Sequence, residues 1–280
     1  MEYISRGGEV EITDAVDFDI RKTFECGQCF RWEADETGAY TGVALGHIAR
    51  LRSEGGSVFI SCTAEEFETI WRVYFDLDRD YAKIRRRLSV DDFMTKAADF
   101  GAGIRILRQD KWEALCSFII SQRNNIPRIK KIIGKLCQEF GDKAYFMGRE
   151  YYLFPTAEKL AALDESSLAP VRCGYRAEYI ISAARAVADG SLDLEALSRG
   201  VPEDARKALM ALRGVGVKVA ECALLFGLHM LDAFPVDVWM KRAVAEHFGP
   251  GFDPWVFSPY AGIAQQYIYH FTRSAAKTNY

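Results

Sequence analysis

Two residues nineteen positions apart have the types and setting to do covalent chemistry: Lys218, in L-R-G-V-G-V-K-V-A-E-C, and Asp237, in F-P-V-D-V-W. Lys218 follows Leu212-Arg213-Gly214-Val215-Gly216, a tight turn between a short amphipathic helix starting at Pro202 and a second helix expected from Val217 to about Leu228. A cation in the first turn of a helix opposes the macrodipole. That field, with partial burial expected among Val217, Val219 and Ala220, favours the neutral amine, the form a Schiff-base nucleophile needs. Taken alone, the lysine reads more simply as a solvated cation beside a phosphate. Asp237 falls at a helix N-cap behind Pro235, a role worth about 1 kcal/mol. A carboxylate accepting helix N–H bonds stays ionised, and beside a sugar it stabilises oxocarbenium-like charge.

These two groups need elements to hold them. Gly214 and Gly216 permit a sharp reversal with backbone N–H groups exposed. With the positive end of the following helix, they make a sequence-independent phosphate site. G-x-G alone is a weak signal, but helix, L-x-G-x-G, helix together points to a helix-hairpin-helix DNA-binding element at about 202–228. Upstream, residues 1–100 read as an antiparallel sheet domain with helices. Short alternating runs such as G-S-V-F-I-S-C are broken by turn signals, including Gly55-Gly56, and helices are expected at 64–75 and 80–99. From residue 101 the pattern is helical almost throughout. Asp110 is a candidate N-cap, a second helix starts near Asn125 with Pro127 in its first turn, and Gly141 stops it. Further helices are expected at 157–164, 175–189, 192–198 and 202–211. The fold class is α+β, with residues 101–280 forming the helical part.

The 280 residues are 49% hydrophobic and 27% charged, with a net charge of −3. That supports a sizeable core without staples and argues against a polybasic binder. The charge is unevenly placed: −7 over residues 1–100, +5 over 101–150 and −1 over 151–280. An anionic partner is therefore expected on the central segment, with basic helices at 105–135 gripping it. Seven cysteines, most in apolar runs, read as buried reduced thiols, and a lone Cys26-x-x-Cys29 is weak grounds for zinc or redox chemistry. No apolar run is long enough for a membrane span, and the first residues lack a secretory signal. The expected location is cytoplasmic, around a bacterial nucleoid, or nuclear in a eukaryote.

Five ordered motifs over about 245 residues carry a resemblance: C-G-Q-C-F-R-W, Q-R-N-N-I-P-R-I, C-G-Y-R-A-E-Y, the hairpin with its lysine and P-V-D, and P-Y-A-G-I-A-Q-Q-Y-I-Y. Together they resemble the helix-hairpin-helix/Gly-Pro-Asp superfamily of base-excision DNA glycosylases, and within it the 8-oxoguanine DNA glycosylases. The resemblance implies a helical glycosylase core after the sheet domain. It implies a bifunctional enzyme that flips 8-oxoguanine from double-stranded DNA, excises it and nicks the strand. Lys218 matches the nucleophile and Asp237 the assisting carboxylate. Gly27 matches the carbonyl that accepts the lesion's N7–H, and Gln265 the amide that reads the Watson–Crick edge. Tyr269, in place of the usual phenylalanine, and Cys222 match the two faces of the base sandwich. Tyr175 matches the wedge that fills the gap in the duplex, and Arg128 and Arg176 the side chains that face the orphaned cytosine.

Without the resemblance, Tyr175 reads as a core tyrosine and Arg128 as a surface charge. Two departures stand out. Arg123 replaces the asparagine that meets the cytosine, with Asn124 as a substitute. Trp239 replaces a histidine that contacts phosphate, two residues after Asp237. The resemblance implies no cofactor for the covalent chemistry, a monovalent cation on the Leu212 and Val215 carbonyls, and a monomer. An iron–sulfur cluster is not expected, because no cysteine set follows Cys222. A glycosylase for another damaged base and a non-catalytic hairpin binder are the rivals.

Overall fold

The computed structural model describes residues 1–278, with side chains through Ala275. The first strands, β1 (Tyr3–Arg6) and β2 (Glu9–Ile12), lead into α1 (Ile20–Glu25), capped by Asp19. β3 (Trp32–Ala34), β4 (Tyr40–Ala44), β5 (His47–Glu54) and β6 (Ser57–Ile60) follow. They form one six-stranded antiparallel sheet in the order β1-β2-β6-β5-β4-β3. The β5–β6 turn is Gly55-Gly56, with φ of +58° and +85°, the left-handed pair that a two-residue hairpin requires. One sheet face buries Val10, Ile12, Leu51, Val58 and Ile60, as the period-two alternation of β2 and β6 dictates. Under it lies an aromatic core. Phe24 stacks on Trp32 at 4.3 Å, and Trp32 Nε1 donates to Tyr74 Oη at 2.9 Å.

A continuous helical run follows: α2 (Ala64–Glu66), a π-helical turn (Phe67–Trp71) and α3 (Arg72–Tyr74). Next come α4 (Tyr81–Leu88) and α5 (Asp92–Phe100). Their apolar faces, including Ile84, Leu88, Met94 and Ala97, join the larger helical core rather than the sheet's, so apolar packing runs across residue 100. α6 (Lys111–Ser121) and α7 (Ile126–Phe140) carry the expected caps. Asp110 accepts from Glu113 N, Asn125 accepts from Arg128 N, and Gly141 closes α7.

The region after Gly141 corrects the expectation of unbroken helix. β7 (Lys143–Phe146) and β8 (Arg149–Tyr152) form a separate hairpin. Its turn residues Met147 and Gly148 have φ of +49° and +73°, and the Lys-Ala-Tyr-Phe alternation suits a strand better than a helix. The helical core continues with α8 (Ala157–Ala161), α9 (Arg176–Ala188), α10 (Leu194–Arg199), α11 (Pro202–Met210), α12 (Val217–Phe226), α13 (Val238–His247) and α14 (Ala261–Thr278).

The positive central segment also differs from expectation. Residues 101–110 form a linker, not a helix. Arg105 is fully buried and donates to the carbonyls of Phe75, Asp17, Asp76 and Arg79. Arg108 pairs with Asp76, Lys111 with Glu195 and Lys143 with Glu150, while Lys130 and Lys135 cap carbonyls. Six of the ten basic side chains of residues 101–150 are thus engaged by partners within the protein. Arg123, Arg128 and Lys131, near the start of α7, remain exposed.

Candidate active site

α11, the turn and α12 form the expected hairpin, and its two glycines do different things. Gly214 has φ of +78°, and a Cβ there would lie 2.3 Å from the Tyr179 ring. It lets the hairpin pack against the first turns of α9, where Arg213 also pairs with Glu178. Gly216 is the N-cap of α12, with φ of −92° and no side-chain cap bond. A Cβ there would meet nothing within 4 Å. The first N–H groups of α12 therefore open outward without a side-chain partner, the arrangement that binds a phosphate. The Leu212 carbonyl accepts from Val215 N at 3.1 Å and closes the turn.

Lys218 stands in the first turn of α12, and its side chain is exposed. The expected partial burial is not found, because Val217 beside it is 59% exposed while Val219 and Ala220 turn inward. One helical turn on, Cys222 is buried, and burial pushes its thiol up to about 12. Lys218 and Asp237 both act on that thiol electrostatically, with opposite signs. Asp237 caps α13. Its Oδ1 accepts from Trp239 N at 3.0 Å and Met240 N at 2.9 Å, which leaves Oδ2 free of these bonds.

Lys218 and Asp237 line one cleft of about 580 Å³. Gly27, Asn124, Trp239 and Tyr269 line it too. Arg123, Lys241 and Arg273 join Lys218 as its basic groups, against Asp237 as its acid. Gly27 follows α1 with φ of +88°, and a Cβ there would lie 3.6 Å from Tyr269 Oη and 3.9 Å from Ile126 Cδ1. Positions 242 residues apart thus meet. Arg273 Nη1 donates to Tyr269 Oη at 3.4 Å. Gln265 is buried one turn before Tyr269 on the same helix face; Cys222 likewise lies behind Lys218. Neither is among the side chains at the cleft surface.

The cleft also depends on residues that motif spacing did not single out. Gln28 is fully buried. Its Nε2 donates to the carbonyls of Thr23 at 2.9 Å and Arg105 at 2.8 Å, and its Oε1 accepts from Leu107 N at 2.9 Å. That clamp fixes the chain next to Gly27. Gln109 Nε2 donates to the Gln28 carbonyl at 2.8 Å and the Phe226 carbonyl at 3.3 Å, tying this loop to the end of α12. A glutamine between buried cysteines is itself a signal, since a buried amide must find partners. Arg273 was legible as the i+4 neighbour of Tyr269.

The residues expected to face DNA divide. Tyr175, at the start of α9, is 52% exposed and packs edge-on to Tyr179 at 5.7 Å, so it is a surface aromatic and not a core tyrosine. Arg128 and Arg123 are exposed, and Arg123 is held at φ of +46°. Arg176 is 3% exposed instead. Its guanidinium donates to the carbonyls of Gln122, Arg123 and Cys173 and lies 4.5 Å from the Tyr175 ring. It thereby braces the 122–123 loop and packs against Tyr175. Asn124 is likewise engaged, donating to Ile120 O at 3.2 Å.

Comparison with known proteins agrees with this geometry. Residues 11–115 match the family described as 8-oxoguanine DNA glycosylase, N-terminal domain, and residues 116–253 match the HhH-GPD superfamily base excision DNA repair protein. The structure of MBOgg1 in complex with a low affinity DNA ligand superposes with a TM-score of 0.93 at 41% identity, over 99% of this chain and 100% of that one. The chain belongs to the 8-oxoguanine DNA glycosylase family of the HhH-GPD superfamily. The Clostridium acetobutylicum 8-oxoguanine glycosylase/lyase, in complex with double-stranded DNA containing cytosine opposite 8-oxoG, gives a TM-score of 0.92 at 36% identity and 99% coverage of both chains. The N-glycosylase/DNA lyase of Saccharomyces cerevisiae is 33% identical over 249 residues, which is 80% of this chain and 66% of the yeast protein. The Arabidopsis thaliana N-glycosylase/DNA lyase OGG1 is 34% identical over 245 residues, again 66% of its length. The chain thus spans just under two thirds of these curated relatives. In this family member all seven cysteines are free and buried. Among the described residues, no group of His, Cys, Asp or Glu side chains is arranged to hold a metal ion, and no helix is long and apolar enough to cross a membrane.

Proposed function

We propose that the protein is a bifunctional DNA glycosylase and abasic-site lyase that removes 8-oxoguanine from double-stranded DNA. The observation that carries this reading is one cleft bringing Lys218 and Asp237 together with Gly27 and Tyr269. A pure DNA-binding hairpin has no need of that set. The open N-terminus of α12 and the exposed Arg123, Arg128 and Lys131 hold phosphates. Tyr175 fills the stack as the damaged nucleotide turns out into the cleft. The Gly27 carbonyl accepts N7–H, the proton that distinguishes the lesion from guanine. Gln265 reads the Watson–Crick edge, and Tyr269 and Cys222 flank the ring.

Lys218 Nζ, as the free amine, attacks the anomeric carbon. The C–N bond to the base breaks, and the base leaves with the electron pair and takes up a proton. Asp237 offsets the positive charge that builds on the sugar. Sugar-ring opening gives the imine. Loss of a C2′ proton then expels the 3′ phosphate, and water releases Lys218 from the unsaturated product. The covalent steps need no cofactor. Leu212 O keeps a second lone pair beyond its bond to Val215 N. A monovalent cation held there with the Val215 carbonyl would add positive charge beside the phosphate site.

The partner is duplex DNA and the acting form a monomer, located where the chromosome is, in the bacterial cytoplasm or the eukaryotic nucleus. The test is borohydride trapping on a duplex containing 8-oxoguanine. Wild type is expected to form a covalent adduct and Lys218→Gln none. No adduct from wild type, or equal trapping by both, overturns the mechanism.

A further inference from the structure

Glu221 sits one helical turn after Lys218 on α12, 7% exposed and outside the cleft lining. A buried carboxylate is tolerated only where its oxygens find donors, and both of these do. Oε1 accepts from Arg206 Nε on α11, and Oε2 accepts from Phe234 N at 2.9 Å in the loop between α12 and α13. Phe234 precedes Asp237 by three residues. Pro235 has no N–H, and the next backbone N–H with a partner among the described residues is that of Trp239, given to Asp237 itself. The Glu221 bond is therefore the last hydrogen bond that fastens the backbone ahead of the aspartate.

We infer that Glu221 is a positioning residue for base removal: through Phe234 N it sets Asp237 at its working distance from Lys218. The inference rests on the proposed function, in which Asp237 offsets charge on the sugar and Lys218 alone makes the imine. α12 is the common reference. Lys218 and Glu221 are three residues apart on one helix, about 4.5 Å along its axis, so the carboxylate that holds the loop moves only with the nucleophile. Arg206 holds the other oxygen and also pairs with Glu203, which keeps the carboxylate from swinging away. Charge stabilisation weakens with distance, and a shift on the order of 1 Å in a reacting group costs up to about 100-fold. What the site requires of Glu221 is reach, an acceptor at the Phe234 N–H, rather than its charge.

Three variants separate reach from charge. Glu221→Gln loses the charge and keeps an acceptor at the same length. Glu221→Asp keeps the charge and withdraws it by one methylene. Glu221→Met keeps the length and has no comparable acceptor. Single-turnover excision of 8-oxoguanine is measured for each, alone and combined with Asp237→Asn. Nicking of a preformed abasic site is the reference step, and thermal melting confirms folding. Excision is expected to fall about tenfold or more in Glu221→Met and about threefold or more in Glu221→Asp, and to stay within about twofold in Glu221→Gln. Nicking stays within about twofold in all three. In the Asp237→Asn background the loss from Glu221→Met shrinks to within about twofold, because displacing a group that no longer acts has no effect. Equal loss of excision and nicking, or an undiminished loss beside Asp237→Asn, shows a structural role alone and overturns the inference. A loss in Glu221→Gln as large as that in Glu221→Asp shows that charge is what matters and also overturns it. That comparison still decides if Glu221→Met does not fold. A wild type that excises no 8-oxoguanine overturns the proposed function, and the inference falls with it.

Discussion

Replacing Gln28 by leucine removes the amide that holds the Gly27 loop and leaves its partners in place. Three buried backbone groups lose a bond: the carbonyls of Thr23 and Arg105 and the N–H of Leu107. Each costs about 1–3 kcal/mol when left unsatisfied. The Thr23 carbonyl keeps a weak bond from Cys26 Sγ at 3.3 Å, so the expected total is about 3–5 kcal/mol. For a chain of this size each kcal/mol lowers the melting temperature by about 2–4 °C, so a fall of about 10 °C is expected. The loop carries the Gly27 carbonyl, whereas Lys218 and Asp237 sit on α12 and α13. Excision of 8-oxoguanine should therefore fall by about tenfold or more, with nicking of a preformed abasic site much less affected. Gln28→Glu sharpens the test. It keeps an acceptor for Leu107 N but sets a carboxylate against two carbonyls, and should be at least as destabilising. Calorimetry and single-turnover rates read both effects. A melting temperature within about 2 °C of wild type, or equal loss of excision and nicking, would refute the reasoning.

Gly214→Ala must place a Cβ 2.3 Å from the Tyr179 ring at a φ of +78°, and is expected to cost about 1–3 kcal/mol and to weaken duplex binding. Gly216→Ala faces open space and should leave the melting temperature intact while weakening binding alone; equal melting of the two variants would contradict this. His229 is 8% exposed beside Asp76 at 3.6 Å, and burial lowers its imidazole below its ordinary 6.5. Its folded value lies below its unfolded one, so below about pH 6.5 the unfolded chain binds the extra proton and stability falls as pH falls. The loss grows as pH falls below about 6.5 and stops once the folded imidazole also takes up its proton. His229→Asn, which tolerates the local φ of +55°, should flatten that slope. An unchanged slope in a melting series would remove His229 from the account.

Sequence reading succeeded where the physics is local. Asp110 and Asp237 are the N-caps their setting predicts, and α7 starts near Asn125 as expected, because a cap bonds a backbone group two or three residues away. Gly55-Gly56 turns the hairpin for the same reason. The β7–β8 hairpin was missed because four-residue strands leave too short an alternation to stand out inside a helical stretch. The basic central segment misled because charge counts carry no partners: Arg105, Arg108 and Lys111 find theirs in residues far along the chain.

The sequence by itself determined the hairpin, the lysine in the first turn of its second helix and the aspartate capping the next, since all three depend on neighbours within a few positions. Only the tertiary structure decided that Gly27 meets Tyr269, that Gln28 and Gln109 fasten the Gly27 loop to the end of α12, and that Arg176 is buried while Lys218 is open. Those outcomes follow from how the sheet domain and the helical core bury their apolar faces against each other. That packing joins residues more than two hundred positions apart, which no local spacing encodes.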